Sequence, residues 1–362
     1  MSISRVSTRN SSAALLEIIG IPNRLSERKA SRNFNLTTSP ETLYSLACKN
    51  KIGLLFLQAF LRSFSYESFD HLLDKEFNSY THLIQTAQRA SSILERTKVR
   101  YAVIKSVMPF PAVPNDVDIV IFDDMESYRR SLEALKNNYF EPLGESAPLE
   151  DCLHDTTRGG RHLDPAVKDP FDVDIYREIG ASHIIYMNKN KLERYCTNKT
   201  VDNRYSFSVL EKPAEMAVYM FHSIFPERIY TLLLHYYILY TIEEMNQSQT
   251  DEFVSICVEN RITRAVLNCL RITENIQKQY FGQCEDKITR LRQRFGPKKQ
   301  FEIFCLPFKY PLSMIMDSFW NKKTDLVFTK SVLNQVFHLI KSREIRNHVI
   351  NEYIHRKNRE TY

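Results

Sequence analysis

Two aspartates in Asn115-Asp116-Val117-Asp118-Ile119-Val120-Ile121-Phe122 are spaced to share one side of a strand. Side chains alternate along an extended chain, so Asp116, Asp118 and Val120 face one way and Val117, Ile119 and Ile121 the other. The apolar set ties the strand into a core. The two carboxylates then project together from a rigid support, roughly 6–7 Å apart at the backbone. Like charges that close repel unless a cation lies between them, so divalent-metal binding is the chemistry this pair can do. Phe171-Asp172-Val173-Asp174-Ile175-Tyr176 repeats the pattern. It can supply a third carboxylate, from Asp172 or Asp174.

The elements that would position these acids follow from periodicity. Ser39-Pro40-Glu41 predicts a helix start, with a capping hydroxyl, proline at the first helical position and an acid in the first turn. That helix runs through Leu43, Leu46 and Ala47, breaks near Asn50 and continues over Gly53 to Leu61. A long helix over residues 69–97 carries Leu73, Phe77, Tyr80, Ile84, Ala87, Ser91 and Leu94 at spacings of three and four. It feeds a strand at Arg100 to Ile104. After the Asp-x-Asp strand, Asp123-Asp124 suits the electropositive start of a helix over 125–138, and Tyr139 to Leu143 begins another strand. Residues 144–170 read as turn-rich, with a strand entered near Leu163, and 181–209 as irregular. Pro213 opens a helix that stops at Pro226. Residues 229–245, 253–262, 265–280, 287–294 and 332–357 read as further helices.

The sequence therefore predicts an α/β (α+β) chain whose small mixed sheet is flanked by helices. Residues 1–37 read as a basic, flexible tail with one short helix at 13–19. Residues 38–98 read as a helical segment, 99–209 as the α/β core and 210–362 as a helical domain. The 362 residues, 43% hydrophobic and 25% charged, suit a soluble globular protein. A net charge of +6 permits a nucleotide or nucleic-acid partner. The 7 cysteines are scattered and never form Cys-x-x-Cys, which argues for a reducing, cytoplasmic setting and against a zinc or disulfide framework. The longest uncharged run, Ile229 to Ile242, is shorter than the roughly 20 residues of a membrane span, so no membrane partner is expected.

Other candidates have simpler explanations. Arg158 and Arg161 flank Gly159-Gly160 and could hold a phosphate, or be solvated hairpin charges. His154 and His162 read as polar surface residues, and His222 as a satisfied core histidine. Tyr230, Tyr236, Tyr237 and Tyr240 read as packing residues. The basic runs Lys287-Arg290-Arg292-Arg294-Lys298-Lys299 and Arg343-Arg346-Arg356-Lys357-Arg359 could track RNA, but solvated helix faces explain them as well.

The order of features sharpens the reading. A helix leads into an apolar strand ending in Lys105-Ser106, Asp116-x-Asp118 follows after about ten residues, then a helix, then a strand with further acids. This resembles the DNA polymerase β-like nucleotidyltransferase superfamily. Within it, the chain looks most like the uncharacterised nucleotidyltransferases that carry Lys-Gly after the first strand, over about residues 40 to 290. Ser106 stands where that branch has glycine, and Pro109, Pro111 and Pro114 exclude the usual short helix from the link. The resemblance implies Mg²⁺- or Mn²⁺-dependent transfer of a nucleoside monophosphate from a nucleoside triphosphate (NTP) to a hydroxyl. Asp116 and Asp118 would bind metal, with Asp174 as third carboxylate and Lys105 and Ser106 on phosphate. An inactive relative that binds nucleotide or RNA is the alternative, which loss of the glycine favours.

Overall fold

A computed structural model describes residues 5–21, 38–144, 147–157, 171–299, 301–303 and 305–341. In chain order, α1 (Arg5–Ile19), α2 (Pro40–Lys49), α3 (Gly53–Ser63) and α4 (Asp70–Thr97) precede β1 (Tyr101–Ile104). The proline-rich link 105–114 contains no helix or strand. Then come β2 (Val117–Ile121), α5 (Met125–Lys136), β3 (Phe140–Pro142), β4 (Glu150–Asp155), β5 (Asp172–Tyr176), β6 (Ile179–Ala181) and β7 (Ile184–Met187). A short α6 (Lys189–Leu192) leads to β8 (Cys196–Val201) and β9 (Tyr205–Leu210). The remainder is α7 (Lys212–Ile224), β10 (Ile229–Tyr230), α8 (Leu232–Glu244), α9 (Gln247–Glu259), α10 (Thr263–Phe281), α11 (Asp286–Phe295), β11 (Phe308–Lys309), α12 (Leu312–Phe319) and α13 (Leu326–Lys341). The chain is a mixed α/β protein. No helix among the described residues is long and apolar enough to cross a membrane.

Local signals account for the helix ends. The Ser39 hydroxyl accepts the Thr42 N–H at 3.3 Å with Pro40 in the first turn of α2, and the Asp124 carboxylate accepts the Ser127 N–H at 2.9 Å at the start of α5. Asn246 and Gln249 form a reciprocal capping box on α9.

The chain forms two compact units, neither continuous in sequence. One comprises Ile84–Ile104, Asn115–Glu211 and Asn321–Tyr362, the other Met1–Leu83, Lys105–Pro114 and Lys212–Trp320. The first unit holds a seven-stranded sheet in the order β3-β4-β5-β2-β1-β9-β8. The pairs β2–β5 and β1–β9 are parallel and the others antiparallel. Val117, Ile119, Val173 and Ile175 are fully buried, which anchors the two central strands. Arg89 pairs with the buried Asp155 and also donates to the Asn138 carbonyl. In the β6–β7 hairpin, a Cβ on Gly180 would collide with the Leu149 side chain and the Ile184 carbonyl, so only glycine fits there.

The second unit is mainly helical. Asn50 joins the end of α2 to the start of α8: its carbonyl groups, side-chain and backbone, accept the N–H groups of Leu232 and Leu233. Deep in this unit, His235 Nδ1 lies 3.3 Å from the Tyr230 hydroxyl, which lies 2.6 Å from Thr273 Oγ1.

Five expectations need correction. Residues 5–21 are not a flexible tail: α1 is helical, and Leu15, Leu16, Ile19 and Ile21 are buried. Their apolar area outweighs the polar composition around them. The span 144–170 includes β4, where a turn-rich stretch was expected. The span 181–209 is not irregular, for β6 to β9 lie within it. The β8–β9 hairpin turns on Asp202 and Asn203, both with φ of 52°, the geometry that polar residues of this kind tolerate. Residues 229 and 230 form a strand, and the helix follows them. The last helix starts at Leu326, before the expected Val332, and residues 342–357 lie outside the described part.

Burial holds His235 neutral, with its pKa lowered from 6.5 to about 3. The unfolded chain therefore takes up a proton near pH 6.5 that the folded chain refuses. Stability is full above that pH and falls as pH drops toward 3, by about 2 kcal/mol at pH 5 from this group. His235→Gln should shrink the loss of stability between pH 7 and pH 5 by about that amount in urea titrations. An unchanged pH dependence would contradict the assignment.

Candidate metal centre

The register of the sheet sets the site. Asp118 on β2 is the direct partner of Asp174 on β5, and Asp174 is in turn the partner of Cys152 on β4. Ile104 on β1 completes the row on the other side of Asp118. Residues opposite one another across neighbouring strands project to the same face. Asp116, just before β2, comes to the same point. Asp116, Asp118 and Asp174 each offer a carboxylate oxygen, and these atoms lie within 4.8 Å of one another. Asp118 is buried, and Asp116 and Asp174 are half-buried. The expected alternation along both strands is present.

Polar residues of β4 and β5 flank the acids on this face. Cys152 stands directly opposite Asp174, and burial, followed by the Asp174 charge, pushes its thiol pKa up. The thiol therefore stays protonated beside the carboxylate. Two residues along β5, Tyr176 is held far above the usual phenol range by burial, then by Asp118 and Asp174. On the other side, His154 Nδ1 lies 2.7 Å from the Asp172 carboxylate. Asp172 thus pairs with His154, and Asp174 is the residue brought to Asp116 and Asp118. The expectation of His154 as a surface residue is corrected: β4 buries it.

The donor set fits a hard divalent cation. Three carboxylates offer oxygen alone, as Mg²⁺ and Mn²⁺ prefer. Two of the three retain solvent contact, so water or phosphate oxygens can complete a coordination shell.

Lys105 and Ser106 directly follow Ile104, the β1 partner of Asp118. Lys105 and Ser106 are buried in the helical unit. The Lys105 N–H donates to the Glu215 carboxylate, and its ammonium lies 3.4 Å from His222 Nδ1. His222 Nε2 is 3.6 Å from Glu227, whose pKa the adjacent Lys51, His222 and Lys105 pull down against the opposing effect of burial. His222 is the satisfied histidine expected. Lys105 itself adopts φ 56°, so the left-handed residue after β1 is the lysine. Ser106 is not among the positive-φ residues, and no backbone conformation demands glycine there.

Arg158, Arg161 and His162 lie outside the described residues, as does the basic run from Arg343. In the other run, Lys287 pairs with Glu243 at 3.4 Å, Arg292 with Glu274 at 2.9 Å and Arg294 with Asp251 at 2.6 Å. Tyr230, Tyr236 and Tyr237 are buried packing residues, and Tyr240 lies against Phe110 with ring centroids 5.0 Å apart. Cys152 was missed because β4 was missed. The alternation of Cys152 and His154 with Leu153 was its one signal.

Three like charges in one cluster should destabilise the ion-free fold. In EDTA, Asp116→Asn should raise stability by about 1 kcal/mol, seen as a higher urea midpoint. A lower midpoint would mean that the carboxylates do not repel. No family model matches the chain and no curated protein matches it.

Proposed function

We propose that the chain is a Mg²⁺- or Mn²⁺-dependent nucleotidyltransferase, moving a nucleoside monophosphate from an NTP to an acceptor hydroxyl. The supporting observation is the convergence of Asp116, Asp118 and Asp174 on one face of adjacent strands, with carboxylate oxygens within 4.8 Å of one another. The resemblance in feature order noted above points the same way.

On this reading, Asp116 and Asp118 hold the cation, and Asp174 serves the acceptor side of the same centre. Bound divalent cations would neutralise charge on the triphosphate and make the acceptor hydroxyl more acidic. The acceptor oxygen forms a new bond to the α-phosphorus as the bond to pyrophosphate breaks. Asp174 accepts the hydroxyl proton, and pyrophosphate departs. The Cys152 thiol, directly opposite Asp174, flanks that carboxylate. The apolar residues beneath the strands keep the acids from moving, which is what in-line transfer needs.

An inactive nucleotide- or RNA-binding relative is the second reading. It is favoured by Lys105, whose ammonium lies beside His222.

The deciding experiment is incubation with each α-labelled NTP and Mg²⁺ or Mn²⁺, with and without RNA and cell extract. Asp174→Ala should abolish label transfer and leave nucleotide binding within a few-fold. Asp172→Ala, which loses the His154 contact, should be milder. Asp118→Asn should weaken Mn²⁺ binding in calorimetry without unfolding the chain. Nucleotide binding without transfer by the wild type would favour the inactive reading. Full activity of Asp174→Ala, where the wild type transfers label, would refute the three-carboxylate mechanism.

A further inference from the structure

Asp172 projects from the same face of the sheet as the acids of the metal centre. It lies two residues before Asp174 on β5, so both side chains leave the strand on one side. It also stands one residue before the Val117–Val173 pair, as Asp116 does on the β2 side. Position alone would make it a fourth member of the cluster. The carboxylate oxygens within 4.8 Å of one another nonetheless belong to Asp116, Asp118 and Asp174, and Asp172 is not among them.

His154 is the reason. It is the direct partner of Asp172 on β4, and its Nδ1 lies 2.7 Å from the Asp172 carboxylate. A carboxylate accepts such a bond, so Nδ1 donates it. The ring is buried and stands edge-on to Phe171, with centroids 6.2 Å apart. Packing therefore fixes the donor. In the sheet β5 lies between β4 and β2, so a carboxylate turned toward His154 on β4 is turned away from Asp116 and Asp118 on the β2 side.

We propose that His154 is a positioning residue that sets the metal preference of the centre by withholding Asp172 from it. The proposal rests on the metal centre formed by Asp116, Asp118 and Asp174. Ligand number and charge decide which hard cation such a centre takes. Ca²⁺ takes about six to eight oxygens and its affinity rises with the number of charged ligands, whereas Mg²⁺ keeps an octahedral shell with few carboxylates and places left for water and phosphate. A fourth carboxylate would fill a place that a phosphate oxygen needs and set one more negative charge against the triphosphate. With Asp172 turned to β4, the centre stays open to a phosphate-bearing substrate and poor for Ca²⁺.

The test is calorimetric titration of the full chain with Mn²⁺ and, separately, with Ca²⁺, in the absence of nucleotide. His154→Leu and His154→Phe each remove the donor and should raise the affinity for Ca²⁺ relative to Mn²⁺ by about tenfold. His154→Asn keeps a donor near the Nδ1 position and should retain the wild-type ratio. Asp172→Asn alone should leave Mn²⁺ affinity within about twofold. Added to His154→Leu, it should restore the wild-type ratio, because the released acid is then gone. Thermal midpoints in EDTA separate loss of the fold from a change of preference. An unchanged ratio in a folded variant without the donor overturns the proposal and leaves the metal centre standing; the His154–Asp172 pair would then only support the sheet. A loss of about tenfold in Mn²⁺ affinity in Asp172→Asn also overturns it, since Asp172 would already hold the ion. A wild type that binds neither cation overturns the metal centre, and this proposal with it.

Discussion

The parallel pairing of β2 with β5 holds two like charges side by side. Backbone hydrogen bonds make Asp118 the neighbour of Asp174, whatever the carboxylates prefer. The same register pairs Val117 with Val173 and Ile119 with Ile175, and all four are fully buried. Each such side chain stabilises the fold by about 1.5–3 kcal/mol. A slip of one residue would turn that apolar set to the polar face and bury the acids. The apolar layer therefore fixes the register, and the register fixes the acids. Their mutual repulsion is too small to undo it.

That dependence also explains what the sequence reveals. Strands β1, β2 and β5 are legible because each is short, apolar on alternate positions and bounded by turn residues. The two aspartate pairs could be read as facing one way, but Asp172 and Asp174 remained equivalent. Pairing decides between them: His154 on β4 engages Asp172, and Cys152 engages Asp174. Since β4 carries Glu150, Asp151, His154 and Asp155 in six residues, it reads as a polar loop. Its polar residues find partners on adjacent elements: Tyr128 donates to Asp151, and Arg89 pairs with Asp155. Local composition does not contain those partners. The β8–β9 hairpin escaped for a different reason. It is a polar edge in which only Tyr205, Phe207 and Val209 alternate clearly, and edge strands require less burial.

The helical unit shows the complementary case. Its helices were legible because their apolar periodicity is strong, yet the reading of residues 1–37 as a tail weighted charge above Leu15, Leu16 and Ile19. Polar groups inside this unit are arranged in pairs and chains. Lys105, His222, Glu227 and Lys51 follow one another at hydrogen-bond or ion-pair distances, and Arg292 and Lys278 both contact the buried Glu274. Burying such charges is tolerable because each faces an opposite charge or an acceptor. The basic run over 287–299 looks like a nucleic-acid surface in sequence, but three of its members are committed to acids within the unit.

In the sheet-bearing unit, two surfaces expose what folding alone would remove. One gathers carboxylates on a face supported by buried valine and isoleucine. The other displays leucine, isoleucine and phenylalanine on a helix anchored beneath by serine, glutamine and histidine. The hidden side makes each display rigid, through buried valine and isoleucine under the acids and through Phe328, Ser331 and Gln335 under α13. A chain optimised for stability alone would neutralise the first surface and turn the second inward. Substitution of a single aspartate, or rotation of α13 by half a turn, would accomplish either change. The polar bonds to Ile185, His183 and Ser182 prevent that rotation, as the apolar register prevents separation of the acids.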